Sequence, residues 1–144
     1  MPIPNLLLSG FLPIGLHLAT LEEVKHRFGK ETPQRQYLFE RLKLFVDLAT
    51  VMQSKRLFIN GSYVTSKAEP GDVDVVIWLD DYFLRQLEAG NEKALSLEEM
   101  FLTRQPKETF AVFDEKGWQD WLEFFSRVRY RDDVRKGLVE ITLR

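Results

Sequence analysis

Two short apolar runs separated by a polar loop place the tightest limit on what this chain can fold into. Arg56-Leu57-Phe58-Ile59-Asn60 has the length and content of a buried strand and stops at Gly61-Ser62. Nine residues later, Asp72 precedes Val73-Asp74-Val75-Val76-Ile77-Trp78-Leu79, a run rich in β-branched residues and the expected central strand. A strand repeats every two residues, so Asp72 and Asp74 face the same way, about 6.5–7 Å apart at Cα. Two neighbouring carboxylates repel, and Asp is disfavoured inside a strand, so the pair asks for a use. Oxygen-only ligands suit Mg²⁺, or Mn²⁺, and paired ions can serve both the attacking and the leaving oxygen of phosphoryl transfer. Gly61 allows a close backbone approach that a side chain would block, so backbone N–H groups and the Ser62 hydroxyl can meet phosphate oxygens. The plainer alternative makes Asp72 and Asp74 surface acids at a strand start and Gly61-Ser62 an ordinary turn.

Composition narrows the remaining classes. The 144 residues, 44% of them hydrophobic, suffice for one core and not for two ordinary domains, so a single domain over 1–144 is expected. With 20 Lys and Arg against 22 Asp and Glu, the net charge of -2 offers no overall attraction for nucleic acid or an anionic membrane. The lack of cysteine excludes disulfides and thiolate metal sites and fits a reducing, cytoplasmic compartment. Met1 to Leu18 is apolar but broken by Pro2, Pro4 and Pro13, with neither a basic start nor a small-residue cleavage site, so it is not read as a signal peptide. No run approaches the roughly 20 apolar residues of a membrane-spanning helix.

Along the chain, residues 1–19 read as an extended arm lying over the domain, with turn chemistry at Pro13 and Gly15. Thr20 and Glu23 form a capping box for a short helix that carries Leu21, Val24 and Phe28 on one face, with Gly29 as a left-handed stop. A longer helix is predicted from Pro33 to Met52, with Tyr37, Leu38, Leu42, Phe45, Leu48 and Met52 inward and Arg35, Glu40, Arg41 and Lys43 outward. Asp80 to Asn91 reads as a helix or irregular connection ending in a Gly90-Asn91 turn, and Ser96 with Glu99 opens a short helix to Leu102. A strand at Thr109–Phe113 and a helix from Trp118 that buries Trp121, Leu122 and Phe125 follow. The last strand, Gly137 to Leu143, alternates Leu138, Glu140 and Thr142 against Val139, Ile141 and Leu143.

An apolar strand, Gly-Ser, a loop of nine residues and Asp-x-Asp together resemble the signature of the polymerase-β-like nucleotidyltransferase superfamily. Leu12–Glu23, the stretch Gly61–Lys67 with Pro70–Asp74, and Lys136–Ile141 are also similar to a small bacterial family of stand-alone members. The resemblance implies an α/β (α+β) fold with a mixed central sheet flanked by helices. It also implies Mg²⁺-dependent transfer of a nucleoside monophosphate from an NTP, with ATP the expected donor, to a hydroxyl of a protein or small molecule, releasing pyrophosphate. In that scheme Asp72 and Asp74 ligate the metal, and Gly61 and Ser62 bind the β- and γ-phosphates. Small stand-alone relatives include the nucleotidyltransferase partners of HEPN-type toxins, so a toxin-like protein is one class of partner to expect.

Active members carry a third carboxylate on a later strand, which completes the metal site and can take the proton from the attacking hydroxyl. Ala111 stands mid-strand where such an acid would be looked for, which leaves Glu140 as the first candidate and Asp114 as the second. Without a third acid, the same fold would be a catalytically inactive binding module, such as an antitoxin-like or defence-system subunit. Lys67, in the loop between Ser62 and Asp72, is a candidate to reach the triphosphate. Arg127, Arg129, Arg131, Arg135 and Lys136 form a basic cluster interrupted by Asp132 and Asp133, which reads as a self-neutralising surface or as a guide for a phosphate-bearing acceptor. His17 and His26 lack metal-ligand partners at usable spacing and read as structural. Trp118, Trp121, Phe124 and Phe125 read as core, with an exposed part that can take a partner chain or a base.

Overall fold

The chain is described here by a computed structural model over residues 3–103, 108–128 and 131–143. Strand β1 (Leu16–Ala19) leads into helix α1 (Leu21–Phe28), which starts as the sequence requires. Thr20 Oγ1 accepts from Glu23 N, and Glu23 answers at Thr20 N. Gly29 ends α1 at φ -107°, so the expected left-handed stop is not used. Its need for glycine is steric, because a Cβ there would press on the Phe39 ring at 3.0 Å.

Helix α2 (Pro33–Val51) buries Arg35, Leu38, Phe39, Leu42, Phe45, Val46 and Ala49 along one stripe. Tyr37, expected inward, is exposed, and Arg35, expected outward, is 4% exposed. Strands β2 (Arg56–Asn60) and β3 (Asp74–Trp78) follow, then α3 (Asp81–Glu88) and α4 (Glu92–Thr103). Helix α4 begins earlier than the Ser96 start expected, because Asn91 Oδ1 accepts from the backbone N–H groups of Lys93 and Ala94. Strand β4 (Glu108–Val112) precedes α5 (Glu115–Ser126), where Asp114 Oδ1 caps Gly117 N at 2.8 Å and starts the helix three residues before Trp118. A hairpin, β5 (Arg127–Val128) with β6 (Arg131–Arg135), leads to β7 (Leu138–Ile141).

Five strands form one mixed sheet in the order β1-β7-β2-β3-β4, with β1/β7 and β3/β4 parallel and the two central pairs antiparallel. Residues 16–19 are thus an edge strand rather than the end of the extended arm expected over 1–19. Alternation sends Leu57, Ile59, Val75, Ile77, Val139 and Ile141 into a core shared with α1 to α4. Phe58, Val76, Val112 and Leu138 point the other way, onto Trp118 and Phe125 of α5. Trp118 is fully buried against Phe58 and Trp78, at ring-centroid distances of 5.1 and 5.8 Å. Burial of such a side chain contributes about 1.5–3 kcal/mol. Among the described residues, no helix is long and apolar enough to cross a membrane.

The chain before β1 is fastened at several points, among them Ser66 N, which donates to Gly10 O at 3.1 Å. Arg27 donates to the carbonyls of Ile3 and Pro4 at 2.6 and 3.0 Å, and Gly137 N donates to Leu12 O at 3.0 Å. A Cβ on Gly137 would run into the Pro13 carbonyl oxygen. Gly137→Ala is therefore expected to displace the segment around Pro13 and cost about 1–3 kcal/mol, as overpacking does. A urea denaturation midpoint equal to wild type would show that the segment does not sit there.

Candidate active site

The residues around Gly61 and Asp72 lock one another in place. Gly61 lies at φ 95°, a conformation that L side chains rarely adopt, and a Cβ there would meet Asp72 Oδ1 at 3.0 Å. The Asp72 carboxylate can therefore tuck against the backbone, where its Oδ1 accepts from Ser62 N at 2.8 Å and from Ser62 Oγ at 2.7 Å. Ser62 Oγ in turn accepts from Gly71 N at 3.1 Å, which closes the two ends of the loop.

The loop is gripped from behind by the first turn of α2. Arg35 donates to four carbonyls, those of Phe28 (3.1 Å), Tyr63 (2.6 Å), Thr65 (2.8 Å) and Lys67 (2.5 Å). Gln34 Nε2 holds Pro70 O at 2.9 Å, and Thr32 Oγ1 reaches Ala68 O at 3.4 Å. Burial lowers the Arg35 pKa from its ordinary value, offset by the Tyr63, Glu31 and Glu69 groups nearby. An arginine remains charged under such a shift, so a permanent cation faces a ring of carbonyl dipoles.

On the α5 side of the sheet, at the end of β2 and β3, a cleft of about 750 Å³ opens. Gly61, Ser62, Lys67, Asp72 and Asp74 all line it, so these five are brought together. Asp74 is 7% exposed, Asp72 is half-buried and Lys67 is exposed at the margin. Glu108 joins them, since β4 runs parallel to β3 with Glu108 directly beside Asp74. The strand was expected from Thr109, one residue too late to include it. Ala111, where an acid was looked for, packs against the opposite core, so that position could never face Asp74. Among the described residues, no three acidic or imidazole side chains already converge on one point. The donor set still suits Mg²⁺, which needs one or two carboxylates and takes its other ligands from water and substrate phosphates.

Besides Lys67, two further cations face these acids. Lys136 and Arg127 line the cleft, whereas Arg127 and Arg135 also share Glu123, at 3.0 and 3.3 Å. Burial pulls the Lys136 pKa down, and the charges of Asp74 and Asp72 pull it back up. The basic cluster thus divides. Arg127 and Arg135 are paired with Glu123 of α5, an acid outside the cluster, while Lys136 and Arg127 line the cleft, and Arg129 lies outside the described residues.

Glu140 is placed elsewhere. It stands on the α5 face but beside Phe58, one rung from the cleft, and turns away to Arg56, which donates to both its oxygens at 2.7 Å. Asp114 is occupied as the α5 cap. Neither lines the cleft. The histidines have local roles: His17 Nε2 donates to Pro13 O at 2.7 Å, and His26 Nδ1 accepts from Lys30 at 3.0 Å.

The chain belongs to a family of unknown function, DUF6932, whose sequence model matches residues 4–142. No curated protein and no solved structure matches it.

Arg35→Met would leave its four carbonyls without their donor. Each buried orphan costs about 1–3 kcal/mol, less the relief of no longer burying a guanidinium. A net loss of a few kcal/mol in urea unfolding is expected, with faster hydrogen exchange concentrated at residues 63–67. Uniformly faster exchange across the sheet would contradict a clamp local to the loop.

Proposed function

We propose that the protein is a cytoplasmic, Mg²⁺-dependent nucleotidyltransferase of the polymerase-β-like fold, using an NTP, ATP first among them, as donor. The observation that carries this reading is the meeting of Gly61-Ser62, Asp72, Asp74 and Glu108 in one cleft with Lys67, Arg127 and Lys136. Asp72 and Asp74 would hold the metal, which when bound neutralises triphosphate charge and favours loss of pyrophosphate. Mn²⁺ would be tolerated by the same oxygen ligands.

The roles of the chain's own groups follow from their positions. Gly61 and Ser62 present backbone N–H groups and a hydroxyl to the β- and γ-phosphates, with Ser62 exchanging its bond to Asp72 for one to phosphate. Lys67 and Lys136 supply positive charge to the triphosphate from two sides. Glu108 takes the proton from the acceptor hydroxyl as its oxygen bonds to the α-phosphorus. The bond from that phosphorus to the bridging oxygen breaks, and pyrophosphate leaves with its electron pair. The acceptor is a hydroxyl on a protein, such as a toxin-like partner, or on a small molecule.

The Ser62–Asp72 lock and the lack, among the described residues, of three converged acids favour a second reading, in which the same fold only binds a nucleotide or a partner as an antitoxin-like or defence-system subunit. Incubation with Mg²⁺ and each labelled NTP separates the two. Pyrophosphate release with label on a lysate component, lost in Asp72→Asn, supports the transferase; NTP binding without release supports the binding module. Within the transferase reading, Asp74→Asn is expected to abolish transfer while the fold persists, because two repelling acids become one. Glu108→Gln should lower the rate about 100-fold or more, as removal of a proton acceptor does. Glu140→Gln should leave the rate within about twofold and cost about 1 kcal/mol of stability, the scale of a partly exposed ion pair. The reverse pattern, a dead Glu140→Gln beside an active Glu108→Gln, would show that the third acid is assigned to the wrong strand.

A further inference from the structure

The cleft has a wall that the phosphate chemistry leaves unused. At the C-terminal end of α5, Phe124 and Phe125 both line it, but they differ in kind. Phe125 is buried and belongs to the core beneath α5. Phe124 is 54% exposed, a large apolar ring turned to solvent at the lip of a polar cavity. A single exposed apolar residue is ordinary on a protein surface. Here it is also held still. Phe124 meets Trp121 and Phe125 edge-to-face, with centroids 5.5 and 5.2 Å away and ring planes at 86° and 80°. Trp121 and Phe125 are themselves stacked at 5.3 Å, so the ring rests on a rigid aromatic base.

The platform is also fixed relative to the phosphate-binding turn. Asn60, the residue immediately before Gly61, is 2% exposed and donates its Nδ2 to the Phe125 carbonyl at 3.2 Å. That bond ties the end of α5, beside the exposed ring, to the end of β2, beside the Gly61-Ser62 turn. The Asn60 Oδ1 atom, buried at the same cleft without a hydrogen-bond partner, remains available to a donor. A volume of about 750 Å³ exceeds what a triphosphate and its ions alone would fill and lies within the usual range of about 300–1,000 Å³ for small-molecule sites.

We propose that Phe124 is the stacking platform for the nucleobase of the bound nucleoside triphosphate, so that this cleft binds the whole nucleotide rather than its phosphates alone. The proposal rests on the nucleotidyltransferase reading of the cleft. An open aromatic face within reach of a phosphate site is the arrangement by which proteins hold a base without reading its edge.

The test compares two ligands that differ only in possession of a nucleoside. ATP and inorganic tripolyphosphate, each with Mg²⁺, are titrated into wild type and Phe124→Leu by calorimetry. Leucine keeps the position apolar and helix-compatible but removes the flat face. Phe124→Leu is expected to weaken ATP binding about 5- to 100-fold and to leave tripolyphosphate binding unchanged, with Phe124→Tyr retaining wild-type ATP affinity. The proposal is overturned if Phe124→Leu binds ATP as tightly as wild type, if both ligands weaken equally, or if wild type prefers ATP over tripolyphosphate no more than the variant does. Failure of wild type to bind either ligand would overturn the nucleotidyltransferase reading itself, and the base platform with it.

Discussion

One buried guanidinium organises the face on which this protein presents its acids. Arg35 reaches from the first turn of α2 to the Phe28 carbonyl and to three carbonyls in the first half of the Gly61–Asp72 loop, and thereby decides the shape of a segment with few apolar side chains of its own. A loop of nine residues has many conformations open to it, and ordering each residue costs about 1–2 kcal/mol. Here that cost is met by hydrogen bonds from a helix already seated on the core through Leu38, Phe39 and Leu42. The rigidity of the loop is therefore borrowed from the hydrophobic face of the sheet opposite to the cleft. Core on one side and chemistry on the other are linked through Arg35, with Gln34 and Thr32 holding the same loop beside it.

The same division of labour runs through the sheet. Successive residues of β2 and β3 alternate between the large core under α1 to α4 and the smaller one under α5. At the Asn60 end of β2 the α5 face loses its apolar cover, and there Asn60, Asp74 and Glu108 stand side by side on three neighbouring strands. Helix α5 stops before covering this rung and turns into the β5–β6 hairpin, which brings Lys136 back to the cleft. Charge is tolerated at that rung because the rung is the mouth of a cleft and not the middle of a core.

Much of this was legible in the residues alone, and the misses have identifiable causes. The strands Arg56–Asn60 and Asp74–Trp78 were visible because β-branched runs bounded by Gly and polar loops leave few other readings. The stripe Arg35, Leu38, Phe39, Leu42 also follows helical spacing, but a charge at its head was assigned to solvent by residue type. Glu108 was hidden for a different reason. Local pattern can locate a strand, but the register of a parallel neighbour is set by tertiary packing across α3 and α4, and a shift of one residue exchanges the two faces. Glu140 illustrates the converse: its face was readable, its ion pair with Arg56 on a separate strand was not.

The pairing of β1 with β7 has a further consequence, for the order in which the molecule can be assembled. Among the described residues, β1 pairs with β7 alone, and it does so in parallel, the geometry that demands the longest loop closure. During synthesis, β1 must therefore wait unpaired while β2, β3 and β4 associate from sequence-local segments. Lys136 precedes β7 directly, so the positive charge opposite Asp72 and Asp74 arrives with the same strand that seals the edge. A molecule in which β7 has not yet docked therefore carries Asp72 and Asp74 without the charge of Lys136 and relies, among the described residues, on Lys67 and Arg127 alone.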